Sequence, residues 1–185
     1  MILEHFLLSV SETNCYIVAC SETGLAAVID PGEWNEQLDE FIALQELKLD
    51  TILLTHNHHD HTGGIAAVKE KYGAKLAAHH SNNDAEMKLS NGEVFELGSL
   101  KIKVLETPGH TEDSMTFVLG CDVFCGDLLF AGSVGGVPDR MSFDQEIAVI
   151  REKIIPLGDD MVLHPGHGPA STVHLERLYN PFLIP

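Results

Sequence analysis

The segment His56-Asn57-His58-His59-Asp60-His61 packs four histidines and an aspartate into six positions. A hydrophobic core has no partners for so many imidazoles, and a connecting loop has no need of them, so the fold must present them in a polar cleft. The segment follows Thr51-Ile52-Leu53-Leu54-Thr55, a short apolar strand pattern, and precedes Gly63-Gly64, which opens a helix with Ile65, Val68 and Tyr72 on one face and an end near Gly73. A buried strand must therefore stop, turn and hand over to a helix at the histidines. Loops at strand ends aim side chains into a common space while the strands hold them still.

Three further segments have the same character, a strand end beside glycine or proline: Thr107-Pro108-Gly109-His110-Thr111, Gly126-Asp127 and His164-Pro165-Gly166-His167-Gly168. A zinc-class ion takes imidazole nitrogen and carboxylate oxygen, with an open position for water if it is to do chemistry. His56 and His58 alternate along an extended stretch and share a direction, and Asp60 continues the alternation. His61, out of phase, faces a second ion if the chain turns there. Two ions need about seven ligand positions with one carboxylate shared. His56, His58 and His110 supply the first set, Asp60, His61 and His167 the second, and Asp127 is the natural bridge.

Strand patterns also cover Ile2–Leu8, Cys15–Cys20, Leu25–Ile29, Lys75–Ala78, Val94–Leu97, Leu100–Leu105, Met115–Leu119, Val123–Cys125 and, as the last strand, Met161–His164. Ser21-Glu22-Thr23-Gly24 reads as a hairpin turn, and Asp30-Pro31-Gly32 stops the third strand. Leu38, Phe41, Ile42 and Leu44 follow helical spacing. Ser142-Phe143-Asp144-Gln145 reads as a capping box before a helix carrying Ile147, Ile150 and Ile154 inward. Helices between groups of strands predict helices packed outside two sheets, in one domain over residues 1–185.

Charge narrows the function classes. Eleven basic against twenty-eight acidic residues give a net charge of −17, which repels nucleic acid and anionic membranes and makes an anionic substrate depend on local cations. No apolar run has the length of a membrane span, and the N-terminus lacks a signal-peptide pattern, so a cytoplasmic chain is expected. The four cysteines form no framework and read as reduced, small core residues.

The pattern His-x-His-x-Asp-His at His56, His58, Asp60 and His61, with His110, Asp127 and His167 later, resembles the metallo-β-lactamase superfamily. The resemblance runs from Asp30-Pro31-Gly32 to His167-Gly168-Pro169. It implies an α/β fold, an αβ/βα four-layer sandwich of two mixed β-sheets flanked by helices, with metal at one edge between the sheets. Gly126-Asp127-Leu128-Leu129-Phe130-Ala131-Gly132-Ser133 is similar to the glyoxalase II group, and the tail Asn180-Pro181-Phe182-Leu183 to its short bacterial members. That likeness implies hydrolysis of a small-molecule thioester such as a hydroxyacylglutathione by a hydroxide held between two divalent ions. Zinc is expected, with iron and manganese as the other candidates, and Asp60 both ligates and orients or deprotonates the nucleophile. Two departures bear on glutathione. No C-terminal helical domain is expected, and Val134-Gly135-Gly136-Val137 stands where many relatives carry a basic residue. A persulfide dioxygenase holding one iron on His56, His110 and Asp127, a lactonase and a β-lactamase are the alternatives. Of the remaining residues, His59 reads as a solvent-facing spacer, His79 and His80 as surface, and His164 as a core histidine. Trp34 and Tyr179 read as packing residues, and Arg140 is the one arginine near the cleft segments.

Overall fold

A computed structural model describes residues 1–184. The chain begins as an antiparallel meander, β1 (Ile2–Leu7), β2 (Asn14–Ala19) and β3 (Leu25–Ile29), with Gly24 at φ +71° closing the second hairpin. Helix α1 (Glu36–Leu44) crosses to β4 (Lys48–Leu53), which pairs parallel with β3. The helical turn α2 (His59–Thr62) and helix α3 (Ile65–Tyr72) return the chain to β5 (Lys75–His79) and then β6 (Met87–Leu89), both parallel additions. These six strands form one sheet in sequence order.

The second sheet takes β7 (Val94–Leu97), β8 (Leu100–Glu106), β9 (Met115–Leu119) and β10 (Asp122–Gly126) as an antiparallel meander. A small hairpin, β11 (Leu129–Phe130) with β12 (Ser133–Val134), leads to α4 (Arg140–Val149), which runs on through a wider turn at Ile150–Ile154. Strand β13 (Val162–Pro165) then pairs parallel with β10, followed by β14 (Ser171–Thr172) and α5 (Val173–Tyr179).

Strand alternation sorts the apolar residues into three layers. On β2, Tyr16 and Val18 face the second sheet, where they meet Ile102, Val104, Met115, Phe117 and Phe124. Cys15, Ile17 and Ala19 face the other way, toward Leu38 and Ile42 of α1 and Val68 of α3. The outer face of the second sheet, through Val118, Val123 and Cys125, packs on Ile147, Ile150 and Ile154. The result is helix, sheet, sheet, helix, the expected four-layer sandwich. No helix among the described residues is long and apolar enough to cross a membrane.

Several local expectations need correction. Helix α4 starts earlier than the Ser142–Gln145 box: Asp139 caps it, its side chain accepting from the Ser142 N–H at 2.8 Å. Asp60 does not extend the alternation of His56 and His58, because α2 already winds the chain at His59. Leu44, at the end of the helical pattern, is 79% exposed, and Cys121 is exposed while the other three cysteines are buried. Strand β13 is not the last, and Tyr179, at 72% exposure, is not a packing residue.

Candidate metal centre

Strand β4 delivers the histidine segment. Its apolar end, Ile52 to Leu54, is buried, and the chain leaves the sheet at Thr55. Asp30, in left-handed backbone (φ +53°) just past β3, fixes Thr55 twice, accepting its N–H at 2.8 Å and its hydroxyl at 2.6 Å. The same carboxylate accepts from His61 Nδ1 at 3.0 Å, and His56 Nδ1 lies 3.0 Å from the Thr55 hydroxyl. With Nδ1 of both rings engaged, their Nε2 atoms are left with lone pairs toward the cleft, which is how outer partners orient metal-binding imidazoles. His110, in the loop after β8, is set the same way, Nδ1–H donating to the Gly136 carbonyl at 2.7 Å.

The nitrogens then converge. His56 Nε2 and His110 Nε2 each stand 3.0 Å from His58 Nδ1. Two nitrogens bound to one zinc ion at 2.0–2.1 Å are about 3.3 Å apart, so this trio is spaced as a ligand face. Asp127, at the end of β10, reaches both groups. Its Oδ2 is 4.0 Å from His56 Nε2, 3.6 Å from His110 Nε2 and 3.5 Å from His167 Nε2. Its Oδ1 is 3.5 Å from His61 Nε2, and His167 Nε2 is 3.4 Å from Asp60 Oδ2. The seven residues expected to ligate therefore lie together as two groups, His56, His58 and His110 beside Asp60, His61 and His167, with Asp127 between.

The donor set fits divalent ions on three counts. His61 Nε2 and Asp127 Oδ1 are buried with no hydrogen-bond partner, a deficit that ordinarily costs about 1–3 kcal/mol per group. Gly166 lets the backbone hug them, since a Cβ there would stand 2.1 Å from Asp127 Oδ1 and 2.7 Å from His61 Cε1. The protonation states of His56, His110 and Asp127 also suit ligation. Burial, with His61 adjacent, pushes His56 down to about 2 and keeps its ring neutral. Burial lowers His110 as well. Burial pushes the Asp127 carboxyl up, but His167, His61 and His56 together outweigh it and hold it at about 2. The partnership with Asp127 raises His167 to about 8 against the opposing effect of burial.

Three supporting residues have no motif of their own. Asp30 is legible in sequence only as part of a strand stop. Asn14 begins β2 in the first sheet and ties down the His167 loop of the second, donating its amide to the Pro165 and Gly168 carbonyls at 3.0 and 2.8 Å. Glu146 of α4 lies buried behind Gly135 and Gly109, its carboxyl raised to about 8 by burial and by the Asp127 charge. Of the other residues considered, His59 is exposed. His164 pairs with Asp122 at 2.8 Å and stacks on Phe124. Trp34 packs edge-on against Tyr72, and Arg140 is bound to Asp144 at 2.9 Å on the exposed surface of α4.

Residues 8–167 match the family model described as the metallo-beta-lactamase superfamily. Hydroxyacylglutathione hydrolase GloC of Haemophilus influenzae is 31% identical over 93% of this chain and 93% of its own length. Other relatives named hydroxyacylglutathione hydrolase are longer, and the match spans 60–63% of their length. Among solved structures, the BLEG-1 B3 metallo-beta-lactamase superposes with a TM-score of 0.91 at 27% identity, covering 100% of both chains. ETHE1 from Myxococcus xanthus superposes with a TM-score of 0.87 at 28% identity, over 98% of this chain and 84% of that one. The chain belongs to the metallo-beta-lactamase superfamily, among its glyoxalase II-like members.

Proposed function

We propose that this metal-dependent hydrolase cleaves a thioester of the hydroxyacylglutathione type. In this reading His56, His58 and His110 hold one divalent ion and Asp60, His61 and His167 a second, with Asp127 shared; zinc is the proposed metal. The observation that carries the reading is Asp127, whose Oδ2 faces His110 and His167 while Oδ1 faces His61. The Haemophilus influenzae relative, matched over nearly its whole length, supports the choice of thioester.

When bound, such ions supply a nucleophile at neutral pH and a Lewis acid for the carbonyl. The chain's own residues then have limited tasks. Asp30 and Thr55 keep His56 and His61 in the required tautomer and orientation. The Gly136 carbonyl does so for His110. Asp60, with Oδ2 3.4 Å from His167, orients the attacking water and accepts its proton at that oxygen. A thiolate leaves without prior protonation, so no further acid is required.

A persulfide dioxygenase with one iron on His56, His110 and Asp127 leaves Asp60, His61 and His167 without a task. The complete second group favours the hydrolase. The test is metal content together with turnover of lactoyl-glutathione. About two equivalents of metal per chain, loss of turnover on chelation and its return with zinc are expected. Full turnover in a verified metal-free preparation, or one iron and no thioester hydrolysis, overturns the reading.

A further inference from the structure

His79 ends β5 in the first sheet, His80 follows it, and Glu106 ends β8 in the second. The strand ends bring all three together outside the seven cleft residues. His79 Nε2 lies 3.7 Å and His80 Nε2 3.8 Å from the same oxygen, Glu106 Oε1. The two imidazoles sit side by side, centroids 4.1 Å apart and planes at 34°.

We propose that His79, His80 and Glu106 form a further cation site, one that takes a single ion of the zinc or copper class and clamps the two sheets together.

Two imidazoles and a carboxylate are a donor set for zinc and copper, not for calcium or magnesium, which take oxygen. Ligands on one such ion are about 3.3–3.5 Å apart, so the two imidazole–carboxylate separations need close by only a few tenths of an ångström. Two of the three contributors, His79 and Glu106, are already held. His79 Nδ1 meets the Ser81 hydroxyl at 2.7 Å and the Ser81 N–H at 3.3 Å. An ion on Nε2 requires the tautomer in which Nδ1–H donates to the Ser81 hydroxyl, at the shorter of the two contacts. Glu106 is anchored through its backbone, its N–H donating to Asn91 Oδ1 at 3.1 Å and its carbonyl accepting from Lys153 at 2.6 Å. Burial, with His80 beside it, holds the His79 imidazole below its ordinary range. That favours the neutral form a metal requires. Asp113 is also close enough to act on His79 electrostatically.

The location gives such an ion a structural role. Glu106 directly precedes Thr107-Pro108-Gly109-His110, so an ion held there fixes the strand end from which the His110 loop departs. The site does not depend on which reaction the cleft performs.

The decisive measurement is equilibrium dialysis of the metal-replete protein against micromolar zinc chloride, with elemental analysis. One equivalent beyond the cleft complement is expected, together with a rise in melting temperature. His80 is exposed, so His80→Ala leaves the fold intact, and both it and Glu106→Gln should lose the additional equivalent. His167→Ala should keep it while losing cleft metal. Copper bound in the same protein should show two coordinated imidazole nitrogens by electron paramagnetic resonance, reduced to one in His80→Ala. Absence of the additional equivalent, or its retention in both His80→Ala and Glu106→Gln, overturns the proposal.

Discussion

At Gly166 the backbone passes so close to Asp127 that an added methyl group would stand 2.1 Å from its carboxylate. Gly166→Ala must therefore displace Asp127 or the loop carrying His167. Metal content should fall in both groups while the circular dichroism spectrum is kept; an alanine variant that loads two equivalents would contradict this. His167 gives a second expectation. Its metal-free ring is raised to about 8, so at pH 7 it is mostly protonated and must shed that proton to ligate. Affinity for the second ion should therefore rise with pH and level off above about pH 8. Calorimetric titration in buffers of different ionisation enthalpy should show more protons released per second ion at pH 7 than at about pH 9. A release independent of pH would remove His167 from the site. The seven cleft residues could be read from sequence because imidazoles so dense beside strand ends have few structural uses. Asp30, Asn14 and Glu146 could not, since their roles depend on which strands become neighbours.

Strand β9 shows what made the elements legible. All five of its residues are buried, because one face meets the first sheet and the other meets the helices. Such a strand reads as a continuous apolar run, and Met115–Leu119 is recovered to the residue. Phe117 is fully buried in the layer between the sheets. Phe117→Ala should lower stability by about 3–5 kcal/mol, measurable as an earlier midpoint in denaturant. A change under about 1 kcal/mol would mean that the layer collapses around the gap. Elements held by few apolar residues were harder to see. Strand β14 has two residues and β6 three. Helix α5 buries Val173 and Glu176, a pattern without an apolar stripe. The start of α4 is ambiguous in sequence because two residues, Asp139 and Ser142, both suit a cap, and only the backbone direction chooses between them.

For the whole molecule the dominant quantity is the charge of −17. A glutathione thioester brings two carboxylates into that field, and the ions that attract its carbonyl do not also reach the far ends of the tripeptide. Arg140 is occupied by Asp144, and Gly136 contributes only its carbonyl, to His110. A high KM for lactoyl-glutathione is therefore expected, with the chemical step unimpaired. No atom lies within 4 Å of a Cβ built on Gly136, so a side chain can begin there without a clash, and Gly136→Arg is the variant to make. It should lower KM about tenfold if it recovers about 1.4 kcal/mol of uniform binding. A simple acyl thioester without those carboxylates should respond far less. A micromolar KM in the unmodified protein would show that another surface binds the tripeptide.

The division of each proposed ligand group between the two sheets also sets an order of events in time. His56, His58, Asp60 and His61 leave the ribosome together, long before His110 and His167 exist to complete either group. A nascent or unfolded chain can thus capture an ion on an incomplete set, and any ion bound that way stabilises the wrong state. Loading should succeed best as the final event, after the sheets have docked. Refolding from denaturant with zinc withheld until compaction is complete should yield more active protein than refolding in excess zinc from the start. Equal yields would mean that the early segment does not trap metal.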